Sequence, residues 1–174
     1  MIRPILLHPD PRLKKRAREI GTPGAWHDRL ADDMLETMYD APGIGLAAPQ
    51  VGELVRMVVM DCVKDEDAEP HPIVLIDPEV VWTSEETSTY EEGCLSLPDL
   101  FADVTRPERA TVRWTDLDGA RQEETFDGLW ATCVQHEIDH LDGKLFIDYL
   151  RPLRRQMFTR KMVKLKRERA RGAA

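Results

Sequence analysis

Two histidines four residues apart bracket a glutamate in the run His136-Glu137-Ile138-Asp139-His140. On a helix, positions i and i+4 stand one turn apart on one face, so both imidazoles can reach a single divalent ion. Glu137 sits beside them, placed to move protons rather than to bind. The chemistry this supports is metal-assisted hydrolysis. The supporting helix is legible too: Asp127 is placed to cap it, Trp130, Val134, Ile138 and Leu141 recur at helical spacing, and Gly143 suits its end. A surface helix that happens to be rich in His and Glu is the plain alternative.

A catalytic site of this kind needs a third protein ligand and one open position. The extended protease pattern HExxHxxGxxH finds its glycine at Gly143 but meets Phe146 where a third histidine belongs. Proteases with a downstream glutamate ligand fare no better, because the first glutamate after His140 is Glu168, deep in a basic run. Upstream, Glu92-Gly93-Cys94-Leu95-Ser96-Leu97-Pro98 offers Cys94 as a thiolate, and Gly43-Ile44-Gly45-Leu46-Ala47-Ala48-Pro49-Gln50 is a small-residue loop that ends in an amide and lets a ligand come close.

These three segments, in this order, resemble peptide deformylases, whose motifs have the forms GxGxAAxQ, EGCxS and HExDH. The segment Ile5 to Leu13 is similar to that family's N-terminal stretch, so the resemblance covers nearly the whole chain. It implies that Cys94, His136 and His140 hold the metal, ferrous iron in the cell, with zinc, nickel or cobalt as possible replacements. Ligand chemistry alone suits zinc. A Cys-His-His set with water in the fourth place would lower that water's pKa from about 15.7 toward about 7. The implied reaction removes the N-formyl group from the initiator methionine of a new polypeptide and releases formate. The resemblance makes the Gln50 amide and the Leu95 backbone N–H donors to the formyl oxygen, and Glu137 the general base and then acid. It points to Ile44, Leu129 and Cys133 as the methionine pocket.

A formyl-selective site needs tight walls, which Gly43, Gly45 and Leu95 supply, and the peptide main chain can pair with a strand edge at the glycine loop. Glu92 is expected to be a buried carboxylate paired with a cation such as Arg106, supporting the Cys94 loop. Cys133, three residues before His136, opens a rival: Cys94, Cys133, His136 and His140 could form a closed, structural Cys2His2 site in a non-catalytic peptide-binding protein. A general metallopeptidase is the rival enzyme class. The stretch Asp99 to Asp103 is apolar and acidic where many relatives carry a basic residue, so preference beyond methionine can differ.

The 174 residues fit one domain, read as a catalytic part over 1–150 and a basic helix of the same domain over 151–174. Three cysteines without a close pair argue against a disulfide framework and for a reducing, cytoplasmic setting, with Cys62 in the core. Ile5 to Leu7 is too short for a signal peptide, and nothing approaches a membrane span. The net charge of −8 is segregated: residues 151–174 hold ten Lys or Arg against one Glu, and the other 150 residues carry 14 basic and 31 acidic side chains. The basic helix has Leu153, Met157, Phe158, Met162 and Leu165 for an apolar stripe. It can pack back on the acidic body or, as the resemblance implies, dock on the ribosome through Arg160, Lys161, Lys164, Lys166, Arg167 and Arg169.

The expected fold is α+β, with antiparallel strands around the metal-binding helix and helices at both ends. A first helix is predicted over Ala25 to Tyr39, with Trp26, Leu30, Met34 and Met38 in steps of four. Strands are predicted over Leu54 to Cys62, Pro72 to Trp82, Thr87 to Glu92, Ala110 to Asp116 and Gln122 to Phe126, with a hairpin at Asp118-Gly119 and an acidic loop over Lys64 to Pro70.

Overall fold

The computed structural model describes residues 1–65 and 67–173, so Glu66 of the acidic loop lies outside the described residues. Helix α1 spans Ala25–Asp40, as its four-residue spacing predicts, and buries Leu30, Met34 and Met38 completely. Trp26, the first member of that series, remains partly exposed.

Five strands form one antiparallel sheet in the order β1 (Gly45–Ala47), β2 (Met57–Met60), β3 (Ile73–Thr83), β6 (Ala110–Thr115) and β7 (Arg121–Phe126). Strand β2 explains how the sheet sorts its neighbours. Side chains alternate along a strand, and here Met57 and Val59 face the α1 cluster while Val58 and Met60 face that of helix α2, Gly128–Leu141. Both faces are thus covered, and all four residues are fully buried. The β6–β7 turn is the predicted hairpin, with Gly119 at φ +84 and the Asp116 carboxylate accepting from the N–H groups of Asp118 and Ala120.

Strands β4 (Thr87–Cys94) and β5 (Leu97–Pro107) form a separate antiparallel hairpin. Strand β5 has no counterpart among the predicted strands. Its inward residues Leu100, Ala102 and Val104 do alternate, but the next inward position is Arg106, a charge that interrupts the apolar period. β2 is shorter than its predicted span, and the glycine loop contains both β1 and a 3-10 turn, Ala48–Val51.

Helix α2 begins after Asp127, whose side chain makes no capping bond, contrary to expectation; its carbonyl accepts from Ala131 N instead. At the other end Gly143 adopts φ +74 with its Cα against the backbone of Lys14, where a side chain would collide. Arg56 donates to Leu141 O at 3.2 Å and to Asp142 at 2.9 Å, a cation at the negative end of the helix.

Helix α3, Pro152–Gly172, corrects the predicted apolar stripe. Phe158 and Met162 enter a third core cluster with Phe146, Ile147 and the inner face of β5, and Leu165 packs at its edge. Leu153 and Met157 stay 72% and 49% exposed, because the helix turns them away from that cluster. The His8 ring nitrogen Nε2 bonds Thr159 Oγ1 at 2.9 Å, tying α3 to the N-terminal segment. No described helix is long and apolar enough to cross a membrane.

Candidate metal centre and substrate cavity

The β4–β5 turn and helix α2 meet at three side chains. Cys94 Sγ lies 3.4 Å from His140 Nε2, and His140 Nε2 lies 3.2 Å from His136 Nε2. Among the described residues these form a group whose ligand atoms all lie within 4.8 Å of one another. The second imidazole nitrogen of His136 bonds Glu92 Oε1 at 2.8 Å. A carboxylate only accepts, so Nδ1 carries a proton, and once Nε2 gives up its own to a metal its lone pair faces the centre. Two ring nitrogens and a sulfur facing one point suit a divalent cation better than a shared proton.

Glu92 sits under His136 with Arg106 clamped on both its oxygens, at 2.7 and 3.0 Å, which is the expected pairing. Burial raises the Glu92 pKa, but the bonds from His136 and Arg106 outweigh it and leave the group below its ordinary value. For His136, burial works downward while Cys94 and Glu92 lift the pKa well above the usual imidazole value. Burial and the neighbouring His136 push His140 well below it. The two rings therefore resist sharing a doubly protonated state.

Glu137 lines the same cavity as Cys94 and His136. Its Oε2 is buried and has no hydrogen-bond partner among the described residues, and burial raises its pKa to about 7. Gln50 reaches in from the 3-10 turn: Ala47 N–H donates to its Oε1 at 2.9 Å, which orients Nε2 toward Cys94 Sγ at 3.5 Å and Ser96 Oγ at 3.2 Å.

A cavity of about 800 Å³ opens onto these groups. Gly43, Ile44, Gly45, Gln50, Cys94, Leu95, Leu129, Cys133, His136 and Glu137 all line it, so the predicted site residues converge except His140, which lies behind them at 1% exposure. Strand β1 is the edge of its sheet and carries Gly45 along the cavity wall. A side chain at Gly43 would strike Leu95.

The closed Cys2His2 alternative does not form. Cys133 Sγ donates to Ile44 O at 3.6 Å, away from the ligand group, and its contact with Cys62 and its burial push its thiol pKa well up. Ser96 entered the sequence reading only as part of its motif, without a role, and Phe146 was given none. The Phe146 ring stacks near His136, with centroids 6.2 Å apart, at the position that first counted only as a failed histidine. No sequence signal marked it; the 3-10 turn Phe146–Tyr149 seen in the structure brings it there.

A polypeptide deformylase family model matches residues 2–156. A peptide deformylase of Mesorhizobium japonicum is 51% identical, covering 98% of this chain and 97% of that protein, and one of Rhizobium meliloti is 53% identical, covering 94% and 93%. The crystal structure of a peptide deformylase from Legionella pneumophila superposes with a TM-score of 0.89 at 47% identity, covering 98% of this chain and 99% of that one. That of the Ehrlichia chaffeensis peptide deformylase in complex with actinonin does so at 0.91 and 37%, covering 95% and 98%. The chain therefore belongs to the polypeptide deformylase family, the metal-dependent hydrolases that remove N-formyl groups from newly made polypeptides.

Proposed function

We propose that Cys94, His136 and His140 hold the metal of this deformylase, and that Glu137 is its proton-transfer group. The observation that carries this is the three-atom ligand group beside a buried, unpartnered carboxylate oxygen. A divalent ion bound there supplies Lewis acidity and a water of lowered pKa. Ferrous iron is the ion proposed for the cell. Metal analysis after anaerobic purification, paired with activity, tests its identity.

Glu137, with a pKa of about 7, takes a proton as water adds to the formyl carbon and returns it to the departing amine. Water and the formyl amide thereby become formate and a free amino terminus. The Gln50 Nε2 and the Leu95 backbone N–H donate to the formyl oxygen as it gains charge; removing one such donor costs roughly 100- to 1000-fold in rate. Gly43, Gly45 and Leu95 leave room for a formyl hydrogen but not for a larger acyl group. Ile44, Leu129 and Cys133 receive the methionine side chain, and the free edge of β1 pairs with the peptide main chain. Formate release from formyl-Met-Ala-Ser, with acetyl-Met-Ala-Ser as control, tests the reading. Equal hydrolysis of both would overturn it, and cleavage of internal bonds would favour a general peptidase.

We also propose a cytoplasmic enzyme with a catalytic part over 1–150, whose residues 151–174 contact the ribosome through basic side chains. Arg160, Lys161, Lys164, Lys166 and Arg167 are exposed. Truncation after Leu153 is a poor test, since it would strip Phe158 and Met162 from the core. Charge reversal at Lys161, Lys164 and Arg167 is expected to abolish ribosome co-sedimentation while formyl-Met-Ala-Ser turnover stays unchanged; undiminished co-sedimentation would end the idea.

A further inference from the structure

Tyr149 closes the 3-10 turn Phe146–Tyr149 and does not line the substrate cavity. Its hydroxyl donates to Asp139 Oδ2 at 2.6 Å, and Arg106 Nη1 donates to the same oxygen at 2.8 Å. The ring also lies beneath the guanidinium, whose carbon is 4.8 Å from the ring centre. From Arg106 the connection runs through its two bonds to Glu92, and from Glu92 to His136 Nδ1.

We infer that Tyr149 is a positioning residue for the metal ligand His136, acting through Asp139, Arg106 and Glu92. The inference rests on the reading that His136 binds a metal. Arg106 and Glu92 are only 5% and 4% exposed in their side chains, and buried charges hold their geometry only while each stays paired. Asp139 is the least buried of the three. Two donors keep its carboxylate turned inward, and Tyr149 is one of them. Without the phenol, Asp139 depends on Arg106 alone and can rotate toward water, so the guanidinium loses a fixed second anchor. It can then rock on Glu92, and the oxygen that sets the His136 tautomer and ring angle moves with it. The residue thus acts on both faces of the problem, stacking on the cation and bonding its second anion.

The test is the zinc dissociation constant, measured by chelator competition on the full chain. Tyr149→Phe keeps the ring under Arg106 and removes only the hydroxyl. It is expected to weaken zinc binding roughly 10-fold, the lower end of the effect of partners that orient ligating histidines. Asp139→Asn should weaken it at least as much, and the double variant should fall short of the product of the two losses because both act through one contact. KM for formyl-Met-Ala-Ser should stay unchanged in Tyr149→Phe, since the cavity is untouched. An unchanged zinc affinity in Tyr149→Phe, including the case in which only the melting temperature falls, would overturn the inference, as would fully multiplicative losses. Wild-type protein whose zinc affinity is indifferent to Cys94→Ala would instead remove the metal reading, and this inference with it.

Discussion

Gly45 has no room for a side chain beside Glu137: a Cβ there would lie 2.6 Å from Glu137 Oε1, and 2.8 Å from Cys133 Sγ. The glycine of the edge strand therefore sets where the proton-transfer carboxylate can stand. Gly45→Ala should displace that carboxylate and lower kcat by about 100-fold, the scale of a misplacement near 1 Å. Zinc content should stay at the wild-type level, because none of the three ligands is touched. Turnover and metal analysis on one preparation check both halves.

Glu137→Gln should keep the metal and lose roughly 100- to 10,000-fold in kcat, the range for a general acid–base group. Cys133→Ser should keep the metal too, since its sulfur bonds Ile44 O rather than the ligand group. Loss of zinc from Cys133→Ser would revive the closed four-ligand site. Full activity in Glu137→Gln would move the proton transfer elsewhere.

Removing the metal should leave one thiol that alkylating reagents reach. Both Cys94 and Cys133 line the cavity, but Cys94 is only half-buried, whereas Cys62 and Cys133 are buried and the Cys133 thiol is pushed well up. Peptide mapping after brief iodoacetamide treatment should find Cys94 modified in chelated protein and protected by added zinc. Labelling at Cys133 first would contradict the geometry.

His8 gives a pH dependence to the attachment of α3. Burial, reinforced by the charges of Lys14 and Lys166, lowers its pKa from 6.5 to about 4, and its Nδ1 has no partner among the described residues. Between those values the unfolded chain binds more protons than the folded one, so stability rises with pH across that window and falls as pH drops from 6.5 toward 4. Denaturant midpoints between pH 7 and pH 4 should fall less steeply in His8→Gln than in wild type. Parallel slopes would show that other groups carry the acid sensitivity.

The α+β class was legible in the sequence, and so was the set of residues that the fold brings together at the candidate site. Histidines four apart, a cysteine beside a glycine and an amide closing a small-residue loop are local patterns, and each keeps its meaning wherever the segments end up. Helix α1 was readable for the same reason, because Leu30, Met34 and Met38 repeat with one period. Strand β5 was not, because its inward Arg106 breaks the apolar period; the pairing with Glu92 was expected, but the second anion, Asp139, lies 33 positions away. The apolar stripe of α3 was overdrawn for a related reason. Leu153 and Met157 fit the period, but only the placement of Phe146 and β5 decides which turns of the helix find a core.

The seating of α3 by Phe158 and Met162 fixes a strongly cationic rod on a strongly anionic globule, which gives the molecule a large permanent electric dipole moment. Arg169, in the last turn of that rod, lines the substrate cavity. Burial of Phe158 and Met162 thus keeps a positive charge at the rim of a cavity in an otherwise acidic body.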